Sequence, residues 1–180
     1  MRARDRVDAA AYLDALGDAF HRAGQLCGIE ARHLDFAGYP VRVECAGSEL
    51  AAKILPAFEH IAGSSPTADP VLTVRAWDRA SAGEAPPPPP WKLDNTVQHR
   101  VEIDPSVLRA NYDAGFGLLS RRQPQSSQAL FYGSSPAGMP RWVQRMPFRH
   151  ILGWWAEETG LSFVHAACVG RDGACVLLPG

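Results

Sequence analysis

No C-x-x-C pair, no H-E-x-x-H helix motif and no G-x-S-x-G elbow occurs in the 180 residues. Their absence removes the common zinc spacings, the zincin arrangement and the strained serine nucleophile of the α/β-hydrolases. The four cysteines (Cys27, Cys45, Cys168 and Cys175) are too dispersed for a dense disulfide framework. They are expected to be reduced, buried small apolar groups, and no metal-ligand set is expected. Charge of one sign is also lacking: 18 Lys and Arg stand against 19 Asp and Glu, a formal net charge of −1. With no field to attract phosphates or anionic lipid, neither nucleic acid nor a membrane surface is an expected partner. No run approaches the roughly 18 apolar residues that span a bilayer. Residues 1–10 are charged where a signal peptide would be apolar, so the expected location is cytoplasmic.

What is present is apolar content of 46%, enough for a buried core in one domain or two small ones. Leu13, Leu16 and Phe20 recur at helical spacing, with Asp5 or Asp8 as N-cap and Gly24 or Gly28 as stop, so residues 1–28 predict an amphipathic helix. Leu34-Asp35-Phe36, a Gly38-Tyr39-Pro40 turn and the alternation of Val41, Val43 and Cys45 with Arg42 and Glu44 predict a half-buried strand or hairpin. Ser48 caps a predicted helix with Leu50, Ile54, Phe58 and Ile61 on its apolar face, kinked or restarted at Pro56. Residues 71–77 read as another strand, and these pieces together predict an α+β layer with helices on a mixed or antiparallel sheet.

Five consecutive prolines, at 86–90, make the 81–91 segment an extended spacer. Val97, His99, Val101 and Ile103 alternate with polar residues and give the clearest strand signal, stopped by Asp104-Pro105. Short strands are expected at 117–120 and 129–132, separated by a polar turn over 121–128. Residues 141–160 are expected to be helical, with Phe148, Ile151, Leu152 and Trp155 on one face, Pro147 in a first turn and Gly160 just past the end. Glu157 and Glu158 read as a solvated face of that helix, and Trp154 and Trp155 as core and interface.

Five of the six histidines (His21, His33, His60, His99 and His150) have no partner at ligand spacing and read as structural or exposed. His165 stands apart. It interrupts the apolar residues Phe163, Val164, Ala166, Ala167 and Val169, the first arm of a predicted hairpin that turns at Arg171-Asp172-Gly173 and returns through residues 174–178 to Pro179-Gly180. Apolar runs without alternation suit strands covered on both faces. A buried strand breaking into Pro-Gly is also how a chain enters a phosphate-binding loop. His165 is then either a neutral imidazole held by a backbone carbonyl or a group beside bound phosphates.

Residues 147–155 (Pro-Phe-Arg-His-Ile-Leu-Gly-Trp-Trp), Gly160-Leu161, Phe163-Val164-His165-Ala166-Ala167 and the 173–180 run Gly-Ala-Cys-Val-Leu-Leu-Pro-Gly resemble the HPr serine kinase/phosphorylase family. In that family the pattern continues into a Walker A loop, G-x-x-x-x-G-K-[ST]. The resemblance is strong over 147–180 and loose before it, at Asn111-Tyr112-Asp113 and the 97–104 strand. It implies an active-site histidine one strand-turn-strand ahead of the first loop glycine, positions matched by His165 and Gly180. It further implies ATP- and Mg²⁺-dependent phosphorylation of a hydroxyl, a serine of a peptide or protein. The fold expected from it is an α+β accessory or substrate-facing domain over 1–146, followed at 147–180 by the first helix and hairpin of an α/β P-loop nucleotide domain. The loop lysine, its Ser/Thr and the downstream aspartate are absent from the chain. It is therefore expected to be an N-terminal fragment, inactive as written and without tight ATP binding. The alternative is a non-catalytic peptide- or protein-binding module that uses a sheet edge or the proline spacer.

Overall fold

The computed structural model describes residues 9–63, 69–88, 98–103, 108–113, 116–123, 126–162, 164, 166–171 and 173–179. Asp5, Asp8, Val97, Asp104-Pro105 and the 89–91 end of the proline spacer, all singled out in the sequence, lie outside these residues. The fold is α+β, with helices on both faces of a seven-stranded mixed sheet. The strands are β1 (Ile29–Phe36), β2 (Tyr39–Ala46), β3 (Leu72–Asp78), β4 (Gln98–Ile103), β5 (Leu108–Asp113), β6 (Leu118–Arg122) and β7 (Gln128–Gly133), in spatial order β1-β2-β3-β7-β6-β5-β4. Only β2–β3 and β3–β7 are parallel. Two antiparallel blocks, β1–β2 and β4–β5–β6–β7, are thus joined through β3.

Helix α1 (Ala9–Cys27) places Tyr12, Leu16, Ala19, Phe20 and Ala23 on one stripe against Ala46, Trp77, Leu119, Leu130 and Tyr132 of the sheet. Tyr12 takes the core position expected of Leu13, which is only half-buried. The helix stops at Gly28, whose φ of +77° suits a residue without Cβ and whose N–H donates to the Gly24 carbonyl at 2.9 Å.

In the β1–β2 hairpin Phe36 pairs with Tyr39, so the turn is the dipeptide Ala37-Gly38, with φ of +53° and +86°. It falls one residue earlier than the expected Gly38-Tyr39-Pro40, because two residues of positive φ match the strand twist and leave Tyr39 and Pro40 free to pair. Asp35 Oδ1 accepts from the Gly38 N–H at 2.5 Å and closes it.

The short α3 (Arg79–Ala82) lies on the α1 side, and the other face is covered by α2 (Ser48–Ile54), a 3-10 helix (Leu55–Ile61), α4 (Arg141–Arg145) and α5 (Arg149–Thr159). Gly47, not Ser48, is the N-cap of α2, and Pro56 sits in the first turn of the 3-10 helix, where its missing N–H costs nothing. The helix expected over 141–160 is two. A residue before proline avoids the helical region, and Met146 is at φ −138°, ψ 65°. Phe148 follows at φ +61° and α5 begins at Arg149. Phe148 keeps that costly conformation while buried against Phe58 (5.9 Å, stacked) and Phe131 (5.3 Å, edge-on). Through Phe148, Ile151, Leu152, Trp154 and Trp155, α5 shares one core with Val41, Val43, Leu72, Val74 and Ala76 of the sheet.

Candidate functional site

The terminal hairpin forms, with Arg171 paired at the end of its first strand rather than placed in the turn. β8 (Ala166–Arg171) and β9 (Ala174–Pro179) pair antiparallel from Arg171↔Ala174 out to Ala166↔Pro179, around a turn in which Gly173 has φ +80°. His165 and Gly180, the two positions matched to a phosphate site, lie outside the described residues. Their chain neighbours, Ala166 and Pro179, are cross-strand partners. The expected burial is not met. The hairpin is a sheet of its own with two strands, and Val169 and Val176 are 62% and 61% exposed, with Leu177 and Leu178 also open to solvent. Successive residues of β9 point to opposite sides, so apolar surface is uncovered on both faces. Cys175, expected to be buried, is exposed for the same reason, whereas Cys45 is buried and desolvation pushes its thiol up to about 12.

A second locus lies between α1 and the sheet. A cavity of about 480 Å³ is bounded by Asp14, Asp18 and His21 of α1 and by Arg75, Arg121 and Gln128 of the sheet. Alternation explains how two guanidinium groups reach it: Thr73, Arg75 and Trp77 face α1 on β3, as do Leu119 and Arg121 on β6. Arg75 has acceptors of its own. Its Nε meets Glu44 Oε2 at 3.1 Å, one Nη donates to Gln128 Oε1 at 2.8 Å, and its Cζ lies 5.7 Å from the Phe20 ring centre.

Arg121 is 0% exposed, and among the described residues none offers a hydrogen-bond acceptor to its Nε, Nη1 or Nη2. Among the described residues, the Tyr12 ring lies over it, 4.9 Å from Cζ, and stabilises its charge. Burial pushes its pKa down to about 10, against an opposing pull from Tyr12.

No family model, curated protein or solved structure matches the chain. What the hairpin and the cavity do rests on their own chemistry. Among the described residues, no group of three or more His, Cys, Asp or Glu side chains is placed to hold a metal ion. No helix among them is long and apolar enough to cross a membrane.

Arg121 and Arg122 fall in the stretch expected to be a polar turn; they form the end of β6 because each finds a different face. Arg121 goes to the α1 side. Arg122, 3% exposed, meets Glu158 of α5 with Nε–Oε1 at 3.2 Å and Nη2–Oε2 at 2.7 Å. Glu157 reaches Arg109 at 2.8 Å. The two adjacent carboxylates lie on an exposed face, as expected, and from it also tie α5 to β5 and β6. An Arg-Arg pair directly after Leu118-Leu119-Ser120 was the one signal for this in the sequence, since period-two alternation must send two neighbours to opposite sides.

Proposed function

We propose that the chain is the N-terminal portion of an HPr kinase-like, ATP-dependent kinase acting on a hydroxyl, a serine of a peptide or protein. The observation that carries the reading is the β8–β9 hairpin: an antiparallel pair, apolar on both faces and uncovered on both, whose second strand runs into Pro179-Gly180. Apolar strands of this kind belong inside a larger sheet with layers on either side. A nucleotide domain built around such a hairpin supplies those layers. His165 is the candidate for orienting groups or stabilising charge near the phosphates, and Gly180 for opening the loop that holds them.

The 180 residues contain no G-x-x-x-x-G-K-[ST] segment, so they do not fit ATP and Mg²⁺ by themselves and no step of phosphoryl transfer is assigned to them. Thermal unfolding with and without Mg-ATP tests the reading. This chain is expected to show no shift. A version extended through a Walker A loop gains about 2.7 kcal/mol at a hundredfold excess of nucleotide over Kd. For a protein of this size that is a rise of roughly 5–11 °C. No shift in the extended protein refutes the kinase reading. In that protein, His165→Ala is expected to lower turnover with the melting temperature unchanged.

A further inference from the structure

The kinase reading makes no use of the cavity between α1 and the sheet, yet the charge pattern there is specific. Of the two guanidinium groups at its sheet wall, Arg75 is answered by Glu44 and Gln128, and Arg121 by no acceptor among the described residues. A guanidinium carries five N–H donors in a planar fork. Desolvating all of them without an acceptor is far more costly than placing an apolar side chain at the same position. The donors are set beside a cavity of about 480 Å³, a volume within the range of small-molecule sites. The planar fork matches the two oxygens of a carboxylate. On the helix side the same cavity is lined by the carboxylates of Asp14 and Asp18, which repel a polyanion and favour an ammonium group.

We propose that this cavity binds a small zwitterion of the amino-acid type, its carboxylate received by Arg121 and its cationic group turned toward Asp14 and Asp18. Because Arg121 is closed to solvent, the Tyr12 ring that covers the guanidinium turns aside as the carboxylate enters. The ligand exchanges a cation–π contact for a charge-assisted hydrogen bond.

The test uses the 180-residue chain and three probes at matched ionic strength: glycine, acetate and inorganic phosphate. The Arg121 Nε–H resonance, assigned by comparison with Arg121→Met, is followed in each titration. Glycine is expected to shift it saturably, acetate to bind several-fold more weakly for want of the ammonium group, and phosphate more weakly still. Asp14→Asn combined with Asp18→Asn is expected to bring glycine down to the level of acetate. Arg121→Met, which replaces a desolvated charge with an apolar chain of similar length, is expected to fold with an undiminished melting temperature and to lose glycine binding, read by calorimetry. Failure of glycine to move the Arg121 signal, glycine binding that survives in folded Arg121→Met, or phosphate binding better than glycine each overturns the proposal. Should Arg121→Met not fold, the side-chain resonance, assigned instead by Arg121→Lys, decides alone.

Discussion

Removing the Glu158 carboxylate is expected to cost this fold more than any other single change to a charged helix residue. Its partner Arg122 is 3% exposed and already has one Nη without a hydrogen bond, so both of its acceptor contacts come from Glu158. Glu158→Ala leaves a buried guanidinium with neither. Breaking a fully buried pair from one side costs about 3–5 kcal/mol. The Glu158 side chain is 19% exposed, so water can replace part of the carboxylate and the lower end, about 3 kcal/mol, applies. For a domain of this length the melting temperature falls by about 2–4 °C per kcal/mol, hence roughly 6–12 °C. Glu158→Gln keeps one acceptor and is expected to lose about half as much. Arg122→Met together with Glu158→Leu removes both charges and is expected to come close to the parent, a recovery that marks a desolvated pair. Urea denaturation of the parent and the three variants reads these differences. A loss below about 1 kcal/mol for Glu158→Ala marks a solvated surface pair and refutes the argument.

The cysteines offer a direct check of burial: maleimide labelling mapped by mass spectrometry is expected at Cys175 in the native protein and at Cys45 only after denaturation. Equal native rates at the two sites contradict the packing. Gly117 has φ +57°, and a Cβ there would meet the Ser134 hydroxyl, which itself donates to the Gly117 carbonyl at 3.3 Å. Gly117→Ala is expected to cost about 1–2 kcal/mol or more by thermal or urea unfolding, from the left-handed backbone together with the displaced Ser134 side chain. A neutral Gly117→Ala sinks this account. Alkaline titration of stability follows from Cys45. Its folded pKa of about 12 lies above the unfolded 9.0, so the folded state holds the proton longer. The stability it contributes is complete below pH 9 and is lost as pH rises toward 12. Tyr12 and Tyr132, also raised by burial, act in the same direction. Cys45→Val is expected to flatten part of that decline, and an unchanged profile assigns it elsewhere.

Much of the layer is legible in the sequence. Alternation at Val41, Val43 and Cys45 marks β2, and the apolar positions Phe148, Ile151, Leu152 and Trp155 mark α5, because burial on one face imposes a period that survives in the sequence. Strand β5 was not legible. Leu108-Arg109-Ala110-Asn111-Tyr112-Asp113 is poor in strand formers, and its conformation comes from pairing on both sides, with β4 and β6. The break between α4 and α5 was half visible: Pro147 announces a discontinuity, but the positive φ of Phe148 is held by Phe58 and Phe131, residues remote in sequence. Arg121 was hidden for a related reason. Whether an arginine is a solvated turn residue or an unanswered buried cation depends on what lies opposite, and here that is α1, a hundred residues earlier.

The parallel β3–β7 ladder also governs how the chain reaches this structure. Every pair in it, from Thr73↔Gln128 to Asp78↔Gly133, spans fifty-five positions, against thirty-one in the parallel β2–β3 ladder (Val41↔Leu72) and fewer in the antiparallel ladders between consecutive strands. Closing a loop of that length costs about 3–4 kcal/mol of chain entropy before its contacts form. The two antiparallel blocks can therefore assemble early and separately, and their union along β3 and β7 is the slow, non-local event of folding. Until it occurs, Trp77, Phe131 and Tyr132, side chains central to the finished cores, lie along unpaired strand edges, and this brief interval is when the chain is most open to association with other copies of itself.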